Sequence, residues 1–118
     1  MDADLAGRIL MADKHILRVI VIGAEGQFLA SKNSTLFHGT EAVGDELQRR
    51  SMAFSVAFGA AEGVMRYMGN PQYLVFAFDS YKVLVMRAPF KGGLINVRLP
   101  RDVNGEDVFN SIVDVLKK

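Results

Sequence analysis

From Thr40 to Gly69 the chain reads TEAVGDELQRRSMAFSVAFGAAEGVMRYMG, and its apolar residues fall on two opposite faces of one predicted helix. Leu47, Phe54, Phe58, Ala61, Met65 and Met68 recur at steps of three, four and seven and line the first face. Met52, Val56, Ala60, Gly63 and Tyr67 line the second. From Ser51 onward the only charges are Glu62 and Arg66, which join Gln48, Ser51 and Ser55 in a narrow polar stripe. Thr40 offers a capping oxygen at the start, and Gly69 followed by Pro71 closes the end. A surface helix of a globular domain normally carries one apolar face. A helix with two has to be covered on two sides.

The remaining elements limit what can do the covering. Asp4–Lys14 predicts a short helix with Leu5, Ile9 and Ala12 on one face, capped by Asp2 or Asp4. HILRVIVIG, residues 15–23, is nearly continuous in apolar, β-branched residues, the pattern of a strand buried on both faces. A turn at Ala24-Glu25-Gly26-Gln27, with Gly26 free to take positive φ, leads into a shorter strand at Phe28–Ser31. KNSTLFHG, residues 32–39, has loop composition. After the long helix, Gln72–Phe78 and Tyr81–Ala88 read as strands joined by a turn at Asp79-Ser80. Leu94–Leu99 alternates, with Ile95, Val97 and Leu99 inward and Asn96 and Arg98 outward, which predicts a half-exposed strand near an edge. Asn104 caps a closing helix whose apolar face is Val108, Phe109, Ile112, Val113 and Leu116.

The predicted order is α-β-β-α-β-β-β-α over residues 1–118, a single α+β (α/β) domain with one five-stranded antiparallel sheet flanked by helices. One face of the long helix lies on the sheet. The second either lies under the two short terminal helices or meets another copy of the chain, and the small residues Ala53, Ala57, Gly59, Ala60 and Gly63 suit close approach of two backbones. We expect the second arrangement, with a dimer interface of Met52, Val56, Gly59, Ala60, Gly63, Val64 and Tyr67.

Composition removes several kinds of chemistry. With no cysteine, thiol catalysis, disulfides and thiolate zinc sites are excluded. A formal charge of +1 gives no global attraction to nucleic acid or membrane. The N-terminus MDADLAGRILMADK carries charges throughout and does not read as a signal peptide, and the longest apolar run is too short to span a bilayer. A cytoplasmic protein is the expectation. His15 and His38 have no ligand-spaced carboxylate or histidine, so neither predicts a metal site. The glycines of GAEG and KGG are not followed by the Lys-Ser/Thr of a phosphate-binding loop. No paired carboxylates or serine with a base suggest catalysis, so no cofactor and no enzyme activity are expected.

The run VIVIGAEGQFLAS, the Ala/Gly-rich helix ending at MGN, and then YLVFAF and YKVLVMRA together resemble the roadblock/dynein light chain family. The resemblance implies a profilin-like or longin-like sandwich that dimerises through its long helix and an adjoining sheet edge. It also implies a non-catalytic scaffold or regulator that binds a small Ras-like GTPase. On this chain the partner surface would include Arg49, Ser55, Glu62 and Arg66, which flank the expected seam.

Two other functions compete. Between Ser80 and Arg101 the chain has Lys82, Arg87, Lys91, Arg98 and Arg101 and no acid, a candidate basic patch in which Lys82, Arg87 and Arg98 would share a sheet face. That patch would suit nucleic acid or an anionic surface, although no single-strand-binding motif accompanies it. A small-molecule sensor of profilin-like type would need a cavity.

Overall fold

The computed structural model describes residues 2–37 and 44–118. Its elements are α1 (Asp2–Leu10), β1 (Arg18–Ile22), β2 (Phe28–Asn33), α2 (Gly44–Glu62), α3 (Met65–Met68), β3 (Tyr73–Ala77), β4 (Tyr81–Arg87), β5 (Leu94–Pro100) and α4 (Gly105–Leu116). The five strands form one sheet in the order β2-β1-β5-β4-β3, antiparallel at every pairing. Because side chains alternate across a strand, the apolar run of β1 supplies both faces. Val19 and Val21 point to one, Ile20 and Ile22 to the other.

The terminal helices share the first face. Leu5, Ala6 and Ile9 of α1 and Val108 and Ile112 of α4 pack on Val19, Val21, Leu84, Ile95 and Val97. Arg8 donates to the carbonyl of Val115 at 3.2 Å and ties the two helices together. With both short helices on this side, neither covers α2. The α2 helix lies on the second face, where Phe58 packs with Ile22, Val83, Val85 and Leu94.

Asn104 caps α4 as expected, its side-chain oxygen accepting from the Asp107 N–H at 3.1 Å. Asn104→Ala should therefore lower stability by about 1 kcal/mol, read as a smaller midpoint in urea unfolding at unchanged slope. Gly26 adopts φ 82° in the β1–β2 turn, and Gly69 adopts φ 86° after α3.

Three expectations are corrected, and a fourth falls on residues outside those described. The first helix begins at Asp2 and ends at Leu10 rather than running to Lys14, because Asp13 organises the next turn by accepting from the His15 N–H at 2.8 Å. The long helix is interrupted at Gly63-Val64. There Gly63 bonds to the Ala60 carbonyl and Val64 to that of Ala61, the tighter three-residue spacing, before α3 resumes. The predicted Thr40 cap lies outside the described residues. Finally, β5 is the central strand, paired on both sides by β1 and β4, and the edges are β2 and β3. Asn96 is buried and Arg98 half-buried, since the face that looked outward is covered by α2.

Candidate functional site

The covered side of α2 is made by Leu47, Ser51 and Phe58, all buried, with Phe54 half-buried against Phe76 at 5.4 Å between ring centroids. Met65 and Met68, predicted on the same face, are exposed because the break at Gly63 carries them past the sheet. Ser51 and Gln48 are not part of a solvated stripe. Ser51 is 1% exposed, and Gln48 is spent on the hairpin. Its Oε1 accepts from the Phe28 N–H and its Nε2 donates to the Gly26 carbonyl, each at 2.9 Å.

The opposite side of α2 and its continuation into α3 are open. Val56 is 65% exposed and Tyr67 78%, and Met52, Gly59, Ala60, Gly63 and Val64 are exposed with them. Large apolar side chains in a continuous stripe at such exposure mark an interaction surface rather than ordinary scatter. Just beyond the end of the edge strand β3, Phe78 is exposed on the same side of the sheet as α2. Met52 also leans on the β1–β2 turn, with its Sδ 2.7 Å from where a Cβ on Gly26 would stand. Gly26→Ala meets that sulfur and a positive φ together, and should cost more than about 1 kcal/mol. Chemical denaturation of the purified variant measures it.

The expected partner residues do not form one cluster. Ser55, Glu62, Arg87 and Lys91 share a cleft of about 530 Å³ between α2 and the β1–β2 and β4–β5 turns. Within it Arg87 donates to Glu62 at 2.6 Å and lies over the Phe58 ring at 5.5 Å. Arg49 is exposed seven residues before Val56, on the open side, and Arg66 lies over Tyr67 at 5.5 Å.

The candidate basic patch is dispersed. Lys82 points to the α1/α4 side of the sheet and donates to the Val103 carbonyl at 2.8 Å, whereas Arg87 and Arg98 are on the α2 side, so the expected shared face is corrected. Strand alternation explains it, because residues 82 and 87 differ by an odd number. Lys91 and Arg101 are exposed in separate turns. His15 is exposed, and its Nδ1 lies 2.8 Å from Asp13 Oδ1, a carboxylate the spacing argument had not credited. His38 lies outside the described residues.

One feature escaped the sequence reading. Arg18 and Asn96 are buried beneath α2, beside Ser51 and Arg98. The available signal was Arg18 itself, the single charge inside ILRVIVIG.

No family model matches the chain, and no curated protein matches it by sequence. Solved structures do match. The Roadblock/LC7 domain from Streptomyces avermitilis superposes with a TM-score of 0.73 over 98% of this chain and 91% of its own, at 12% identity. The fold is a roadblock/LC7 fold. Myxococcus xanthus MglB matches with a TM-score of 0.71 at 11% identity, covering 98% of this chain and 88% of that one. The gliding protein MglB of Thermus thermophilus gives 0.65 at 11%, covering 97% and 87%. In this chain's version of the roadblock fold, α2 is the layer whose outer side no described residue covers. Among the described residues no helix is long and apolar enough to cross a membrane, and no three potential ligands gather as a metal site.

Proposed function

We propose that this protein is a non-catalytic homodimeric scaffold that binds a small Ras-like GTPase. The observation that carries the reading is the uncovered apolar side of α2 and α3. Met52, Val56, Ala60, Gly63, Val64 and Tyr67 stand in water in the protomer, while both terminal helices are committed to the far face of the sheet. Two copies packed across this side would bury Val56 and Tyr67, with Gly59, Ala60 and Gly63 allowing close approach. A stable interface buries roughly 1,200–2,000 Å² in all. The stripe on α2 and α3 is narrow for that, and the open edge of β3 beside it extends the seam. Arg49, Ser55, Glu62 and Arg66 then border the paired helices, where the GTPase would dock. The GTPase partner rests on the roadblock resemblance together with the fold.

The test uses the full chain and purified Ras-like GTPases loaded with GDP or with a non-hydrolysable GTP analogue. Binding that differs between the two nucleotide states, and that weakens on Arg49→Glu, supports the proposal. Indifference to nucleotide, or no binding across a panel drawn from the source cells, overturns the GTPase assignment. The nucleic-acid reading has no gathered cation surface behind it, with Lys82 and Arg87 on opposite faces and Arg87 paired to Glu62.

A further inference from the structure

The polar end of the α2-facing sheet surface has no counterpart in the scaffold reading. Arg18 and Arg98 are direct cross-strand neighbours, in register with Val83. Like charges in that position weaken a sheet, and removing a guanidinium from water is unfavourable without a compensating partner. Arg98 has no ion pair among the described residues. Its guanidinium lies over the rings of Phe37 and Tyr81, at 5.2 Å from each centroid. Burial first, and then the charges of Arg18 and Arg50, hold it below the usual arginine range. Among the described residues the nearby carboxylates are Glu46, which accepts from Arg50 at 2.8 Å, and Asp79 in the β3–β4 turn.

These side chains surround space. An inner pocket of about 30 Å³ is lined by Ser51 and Asn96, whose Oγ and Oδ1 are buried with no hydrogen-bond partner among the described residues. It shares Arg50, Phe54, Val83 and Arg98 with an open cleft of about 590 Å³ between α2 and the β3–β4 turn. The cleft's outer walls are Phe78, Ser80 and Tyr81. That volume falls within the range of roughly 300–1,000 Å³ typical of small-molecule sites, and the mix of aromatic walls with a few polar groups is also typical.

We propose that this cleft binds a small aromatic anion, its ring between Phe54, Phe78 and Tyr81 and its carboxylate or phosphate oxygens on Arg98 and Arg50. A guanidinium presents a planar fork of donors that matches both oxyanions. Stacking on Phe37 and Tyr81 holds the Arg98 fork in place, and Ser51 Oγ stands further in as an additional donor. A bound anion would give Arg98 the opposite charge that no ion pair supplies among the described residues. The site is independent of the GTPase assignment.

The experiment titrates the full-length protein with phenyl phosphate, with phenylacetate and with inorganic phosphate, following backbone amide shifts by two-dimensional NMR. Saturable shifts at Arg50, Phe54, Ser80, Tyr81 and Arg98 with either aromatic anion are expected, and the tighter of the two identifies the oxyanion. Arg98→Gln and Arg50→Gln should each weaken binding about tenfold, the loss of one charge-assisted bond. Arg50 is on the exposed flank of α2, so its variant reports even where Arg98→Gln does not fold. The proposal is overturned if neither aromatic anion moves these amides, or if binding is unchanged in Arg50→Gln. Shifts confined to Val56 and Tyr67, or inorganic phosphate binding as tightly as phenyl phosphate, also overturn it.

Discussion

Val56→Arg should halve the sedimenting mass while leaving the protomer folded. In the protomer Val56 is 65% exposed, so an arginine there meets water and costs the fold almost nothing. In the proposed dimer the same position lies near the middle of the paired α2 helices. The substitution then removes the burial of one valine, about 1.5–3 kcal/mol per copy at most. It also places a cation opposite its symmetry mate, which adds desolvation and like-charge repulsion of several kcal/mol. Self-association should weaken by at least about 1,000-fold, equivalent to roughly 4 kcal/mol. Analytical ultracentrifugation with circular dichroism on the same sample separates the outcomes. A native-like spectrum with monomer mass is the expected result. An unchanged mass would mean that this side of α2 is not the seam.

Most of the architecture could be read from periodicity. β1 is legible because a strand covered on both faces has no polar face to show, and RVIVI has none beyond Arg18. The open side of α2 is legible for the complementary reason. Its apolar residues exceed what one sheet face and two short helices can hide, and the structure leaves Val56 and Tyr67 in water. What failed was the meaning of polarity. Asn96 and Arg98 alternate with Ile95, Val97 and Leu99 as solvent-facing residues do, and that put β5 near an edge. In the sheet they occupy the floor of a pocket under α2, in the central strand. A polar residue on a strand specifies a face that tolerates polarity, and water is only one such environment. Gln48 and Ser51 show the same ambiguity on α2, one bonded to the hairpin backbone and the other buried. The break at Gly63 was hidden because one glycine costs a helix only about 1 kcal/mol, too little to decide the matter without the tertiary setting. Lys82 and Arg87 were placed together by density of charge, when the parity of their positions already separated them.

Phe58→Ala should be the most damaging single truncation on the α2 side of the molecule. Phe58 is 1% exposed and is the largest fully buried side chain of α2, where it fills the space among Ile22, Val83, Val85 and Leu94. Its removal loses the transfer free energy of the ring and leaves a cavity that this small cluster cannot close. The cost is about 3–5 kcal/mol, a fall of roughly 10–20 °C in melting temperature for a domain of this size. Arg87 loses the ring beneath it as well, though it keeps Glu62. The consequence reaches beyond stability because this cluster is the apolar contact of α2 with the sheet, while the outer side of the helix is exposed. A helix loosened from the sheet no longer presents Val56, Ala60 and Tyr67 in a fixed arrangement, so Phe58→Ala should weaken self-association too. Val56→Arg, by contrast, leaves the melting temperature of the dissociated protomer unchanged. Differential scanning calorimetry at several protein concentrations distinguishes the two variants. A melting temperature for Phe58→Ala within about 3 °C of the unsubstituted protein, less than a 1 kcal/mol effect at this size, would mean that α2 is held by something other than this contact.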